Sequence, residues 1–149
     1  MLMFAPNYAT APGEFLQEWV EIHGKTQQEV ADLLGCSRKQ VNEIINGRAP
    51  ITGDTAVRLE RVVGIPAVAW LKYEAQYRAD LARIADQENL SEHFDDIAPS
   101  ALAYLRTIGV TSATKREPGQ AVSDFLSFHG CGTWDSYLHL QEDASKGDY

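Results

Sequence analysis

Two short helical segments, each opened by a capping residue and closed by glycine, follow one another between Thr26 and Gly47. In Thr26-Gln-Gln-Glu29 the hydroxyl and the carboxylate can each satisfy a backbone N–H left unpaired at a helix start, and Gly35 suits the left-handed residue that ends a helix. Ser37-Arg-Lys-Gln40 repeats the arrangement eleven residues later, with Asn46-Gly47 as its stop. Val30, Ala31, Leu33 and Leu34 in the first segment, and Val41, Ile44 and Ile45 in the second, define inner faces. Two short helices joined by a tight glycine turn, the second capped and polar outside, are what a helix-turn-helix requires. Val30, Ala31, Leu34, Val41 and Ile44 are then expected to hold the pair together, leaving Arg38, Lys39 and Asn42 to face a DNA major groove. Gln27 and Gln28 start the first of these helices, where free N–H groups and the positive dipole end favour a phosphate.

Helical signals continue on both sides, and no stretch alternates apolar and polar residues long enough to read as a strand. Upstream, Pro12 suits a first helical position, followed by Phe15, Leu16, Trp19, Val20 and Ile22 until Gly24. Downstream, Pro50 and a Thr52 cap open a fourth helix with Ala56, Leu59, Val62 and Val63 inside, ending at Gly64. Pro66 starts a fifth, predicted to reach about Ala85. It carries two apolar stripes, Trp70-Tyr73-Tyr77-Leu81-Ile84 and Val68-Leu71-Ala75-Ala79-Ala82, one facing the core and the other free for a dimer mate or the C-terminal segment. Residues 86–98 read as an acidic linker. Pro99 to Ile108 suggests another helix, residues 111–119 a loop, Val122 to Phe128 a further helix ended by Gly130, and Trp134 to Leu138 a last one capped by Thr133. The tail from Asp143 is expected to fray. The fold expected is all-α: a five-helix domain over residues 11–85, the linker, and a small helical extension over residues 99–142.

Length and composition fit this reading. With 149 residues, 44% hydrophobic and 23% charged, the chain can bury a core as one domain or two small ones. It contains no run of 18 apolar residues and no basic, apolar leader at its start, so no membrane association and a cytoplasmic location are expected. Cys36 and Cys131 are too few and too distant to suggest a structural disulfide. A net charge of −8 argues against a nucleic-acid partner only until the charges are placed. Residues 1–84 hold 9 Lys and Arg against 10 Asp and Glu, whereas residues 85–149 hold 4 against 11. Arg38, Lys39 and Arg48 face only Glu43 in their own segment, so a small basic footprint survives on the second helix of the motif.

Pro12-Gly-Glu-Phe-Leu, Thr26 to Gly35, Ser37 to Arg48, and Trp70-Leu with Ala75-Gln-Tyr77 together resemble the HigA (VapI-like) antitoxins, which are repressor-type helix-turn-helix proteins. The resemblance covers roughly residues 11–84. It implies a dimer that binds its own operator DNA through the third helix and, as in many of that family, neutralises a basic, RelE-like toxin that cleaves messenger RNA, HigB. Carried over to this chain it implies Gln27, Arg38, Lys39 and Asn42 as DNA-contacting residues, with Gln28, Ser37 and Arg48 beside them. Two features depart from the pattern: Ala11 stands where the family often has His, and the chain continues to residue 149. Leu102 to Gly109 and Val122 to Trp134 resemble the linker helices of longer relatives that end in a zinc-peptidase domain, but no His-Glu-x-x-His occurs here. A stand-alone repressor without a toxin is the alternative.

Other residues have plainer readings. Cys36 is expected to be a small packing residue in the turn. His129, Cys131 and His139 fall short of the three or four convergent ligands a metal needs, so no metal or other cofactor is expected. Glu14, Glu18 and Glu21 suit the exposed side of a helix and lack any accompanying nucleophile or base, so no enzyme activity is expected. Phe125, Phe128, Trp134 and Tyr137 are expected to form the core of the extension.

Overall fold

A computed structural model describes residues 8–146, so the first seven residues, at the start where no leader is expected, and the last three of the tail lie outside it. Among the described residues all regular structure is helical, with no strand. Five helices come first: α1 (Gly13–Ile22), α2 (Gln27–Leu34), α3 (Arg38–Ile45), α4 (Gly53–Val63) and α5 (Ala67–Leu90). A 3₁₀-helix (Ser91–Asp96) follows, then α6 (Pro99–Thr107), α7 (Pro118–Phe128) and α8 (Trp134–Lys146). The chain divides into two compact units, with the division between Leu81 and Ala82, inside α5.

The first unit closes around Leu16, Val20, Val30, Ala31, Leu34, Val41, Ile44, Ile51, Ala56, Leu59 and Trp70. Within it, α3 packs on both α1 and α2, and α4 packs on α2. All five residues expected to hold the motif together are buried. Gly13 lets α1 approach the end of α3, since a Cβ there would run into the carbonyl oxygen of Ile44. Leu33, expected inside, is 54% exposed, because helical spacing puts it beyond the edge of the inward face set by Val30, Ala31 and Leu34. Phe15 and Ile22 are likewise exposed. The caps form at Thr26, Ser37 and Thr52, each side chain accepting a backbone N–H three residues on. Pro12 takes the N-cap position, one residue before the expected first helical position.

Helix α5 departs from the expected two-stripe arrangement. Trp70 is buried, but Tyr73 and Leu81 from the same stripe are exposed, as are Val68 and Leu71 from the other. Glu74 is buried instead: its carboxylate accepts the Ile51 N–H at 2.8 Å and pairs with Arg78, so a polar side chain faces inward where it has partners. The helix also continues past Ala85 to Leu90.

The second unit centres on Leu90, Ile97, Leu102, Leu105, Ala113, Ala121, Val122, Phe125, Leu126, Cys131 and Trp134. Residues 86–98 are therefore not a linker. They form the end of α5 and the 3₁₀-helix, and Leu90 and Ile97 anchor them in this core against α7. The acidic residues between these anchors concealed them in the sequence. Phe125, Trp134 and Tyr137 pack together as expected, with ring centroids 4.9 to 6.2 Å apart. Phe128 does not join the core and is 49% exposed at the last turn of α7. The tail expected to fray from Asp143 stays helical to Lys146.

Candidate nucleic-acid interface

Only Gly35, Cys36 and Ser37 separate α2 from α3. Gly35 takes φ 71°, a left-handed conformation that glycine adopts without a Cβ penalty, and the turn is closed by the Cys36 N–H on the Ala31 carbonyl at 3.0 Å. Cys36 lies partly buried at the edge of the first core, and burial pushes its thiol pKa up, which fits a packing residue rather than a reactive one. Ser37 Oγ accepts the Gln40 N–H at 3.1 Å. At the start of α2 the capping box closes completely: Thr26 Oγ1 accepts the Glu29 N–H and Glu29 Oε1 accepts the Thr26 N–H, both at 3.1 Å. The Thr26 backbone N–H first, and its hydroxyl second, hold the exposed Glu29 carboxyl below its ordinary pKa.

The packing of α3 leaves one face open. Arg38 and Lys39 in its first turn are exposed, and so are Ser37 before it and Arg48 beyond it. Lys39 Nζ lies 3.9 Å from Glu43, with the lysine side chain 85% exposed; a pair so solvated holds the lysine only loosely. Arg38 makes no ion pair among the described residues. Gln28 is tied back along α2, its amide donating to Asp32 at 3.0 Å. Gln27 and Asn42, fifteen residues apart in sequence, meet half-buried on this face, with Asn42 Nδ2 donating to Gln27 Oε1 at 3.3 Å. Gln27 and Asn42, separate in the sequence, are thus brought together on the candidate face.

Two further contributions were not foreseen. Asn46, read only as a helix stop, donates through Nδ2 to the Asn42 carbonyl at 2.9 Å and to Asn42 Oδ1 at 3.2 Å. The loop after α3 is strapped down by α5, where Arg78 donates to the Gly47 carbonyl at 3.3 Å while paired with Glu74, which holds the Ile51 N–H. The Arg78 guanidinium also lies 5.0 Å from the centre of the Tyr77 ring. Spacing of four residues makes the Glu74–Arg78 pair legible, but not the loop it holds.

The other residues weighed as candidates have these surroundings. His139 Nδ1 lies 2.8 Å from the Asp135 carbonyl oxygen, His129 packs among Phe125, Phe128 and Tyr137, and Cys131 is buried in the second core. Glu14, Glu18 and Glu21 line an open groove beside Gln17, Asn46 and Tyr77. Among the described residues, no helix is long and apolar enough to cross a membrane.

A family model described as helix-turn-helix matches residues 16–70, the stretch that contains this site. Virulence-associated protein I of Dichelobacter nodosus is 37% identical over 84 residues, which cover 56% of this chain and 75% of that relative. The solved structure of the Pseudomonas aeruginosa antitoxin HigA with the higBA promoter is similar with a TM-score of 0.52 at 28% identity, covering 62% of this chain and 98% of that one. A second solved structure from Pseudomonas aeruginosa, of a protein in complex with its 18-bp operator DNA, gives a TM-score of 0.52 at 27% identity over 63% of this chain and 97% of that one. The chain belongs to the helix-turn-helix family of virulence-associated protein I and resembles the HigA antitoxins in structure.

Proposed function

We propose that this protein binds operator DNA through α3, represses its own operon as a homodimer, and neutralises a basic RNA-cleaving toxin encoded beside it. The observation that carries the DNA-binding part is the open face of α3. A buried core fixes the helix on α1 and α2, while exposed Arg38 and Lys39 flank a hydrogen-bonded Gln27–Asn42 pair. Arg38 presents a planar fork suited to guanine O6 and N7, and the amide of Asn42 suits an adenine edge. Gln27 and Gln28 at the start of α2, with Ser37 and Arg48 at either end of α3, are assigned to the phosphate backbone, which sets register without reading sequence. The presence of promoter or operator DNA in the two similar solved structures supports this reading.

The antitoxin part draws on the same resemblance and on charge. Residues 85–149 hold 11 acidic against 4 basic side chains, a balance complementary to a toxin that handles RNA. Expression of the intact operon with a tag on this chain tests it. The reading expects a small basic protein to co-purify in stoichiometric amount, and expects the complex to retain the operon's promoter fragment in a salt-sensitive manner. Promoter retention without such a protein would leave a stand-alone repressor; loss of both would remove the proposal.

A further inference from the structure

The amide groups of Gln27, Asn42 and Asn46 form a chain whose direction is fixed at one end. Asparagine and glutamine amides can exchange nitrogen for oxygen by a half-turn, and their orientation must be inferred from their partners. The backbone carbonyl of Asn42 has no such ambiguity. It accepts from Asn46 Nδ2 at 2.9 Å, so Asn46 must present its nitrogen there. That same nitrogen lies 3.2 Å from the Asn42 side chain, which must therefore turn its oxygen toward Asn46. Asn42 is left with its nitrogen toward Gln27, and Gln27 must answer with its oxygen, at 3.3 Å. Each half-turn taken alone would set like atoms against each other.

We infer that Asn46, at the C-cap of α3, is a specificity-determining residue that acts through Asn42 by holding its amide in one orientation before DNA arrives. An amide that reads an adenine edge must donate to N7 and accept from the N6 amino group, in that order across the base. Reversed, it meets donor with donor. An anchored amide is already in reading order and loses less rotational freedom on binding. A free one would sample both orientations and discriminate less. This inference rests on the proposed contact of α3 with DNA.

The full-length chain and two variants, Asn46→Ala and Asn46→Asp, test it, with duplexes enriched by the wild-type protein from a random-sequence pool as the probe. Comparison with Asn42→Ala identifies the base pair that depends on Asn42. At that base pair the wild type should prefer its chosen base by about tenfold. Asn46→Ala should narrow that ratio severalfold while preserving helix content and the salt dependence of binding. A role confined to capping α3 would weaken binding to all duplexes alike and leave the ratio unchanged, which would overturn the inference. In Asn46→Asp a carboxylate replaces the donor, so the amide should reverse and the preferred base at that position should change. An unchanged preference in both variants, or no position that depends on Asn42, would also overturn the inference while leaving DNA binding intact. Failure of the wild type to enrich any sequence would instead remove the DNA-binding reading itself.

Discussion

At the scale of single residues, a few exposed side chains on α3 are proposed to carry the binding energy. Arg38→Ala and Asn42→Ala should each cost about 1 to 3 kcal/mol on the cognate site, measured as operator Kd, with unchanged circular dichroism. Lys39 is too solvated to matter for folding, and its loss should weaken binding to all sequences and lower the salt slope. Capping residues behave oppositely. Thr26→Ala removes the hydroxyl that accepts the Glu29 N–H at the start of α2, while residue 26 keeps its own N–H on Glu29 Oε1, and should destabilise the fold by about 0.5 to 2 kcal/mol in chemical denaturation. Because the Glu29 carboxyl is held below its ordinary pKa of 4.5, its contribution is present above that pH and is lost as pH falls through the lowered value. A Glu29→Gln variant should therefore lose part of the acid-side decline in stability, a small effect because the group is exposed.

At the scale of elements, the motif was legible because its signals are local. Caps lie three residues apart, glycine marks each end, and inner faces repeat at helical spacing, so α2 and α3 emerge within a residue of their observed bounds. What was illegible depends on distant contacts. Nothing near Glu74 indicates that it reaches the Ile51 N–H, 23 residues away, or that Arg78 reaches the Gly47 carbonyl, 31 residues away. Nor does the acidic run over residues 86–98 reveal that Leu90 and Ile97 are anchored in a second core. The Gln27–Asn42 contact escaped for the same reason: both residues were selected, but their pairing is a tertiary fact. The Glu74 strap carries its own prediction. Glu74→Ala leaves the buried Ile51 N–H without its acceptor and Arg78 without its carboxylate partner, and should cost about 1 to 3 kcal/mol of stability in urea denaturation. It should also loosen the loop after α3, seen as faster amide exchange at Ile51.

At the scale of the whole molecule, one helix-turn-helix buries too little surface for tight specific binding, so a homodimer on half-sites about one helical turn apart is expected. Exposed Tyr73 and Leu81 on one stripe of α5 are proposed as apolar contacts for the mate, with the Phe15 ring tilted beside Tyr73 at 4.9 Å. Light scattering at micromolar concentration should report twice the 16.5-kDa mass, and a strictly monomeric protein would count against the dimer. Truncation after Ala85 removes most of the acidity and the second core, and should preserve operator binding while abolishing toxin affinity in a pull-down. Full toxin affinity in the truncated chain would move the neutralising surface to residues 1–84. The most direct test of the central claim is the affinity of the wild type and of Arg38→Ala for the operon's own promoter fragment, against a scrambled duplex of equal length at two salt concentrations. The wild type is expected to prefer the promoter, with binding that falls steeply with salt, and Arg38→Ala to lose the preference while retaining weak binding to both duplexes. Equal affinity of the wild type for both duplexes, or a preference untouched by Arg38→Ala, would contradict it.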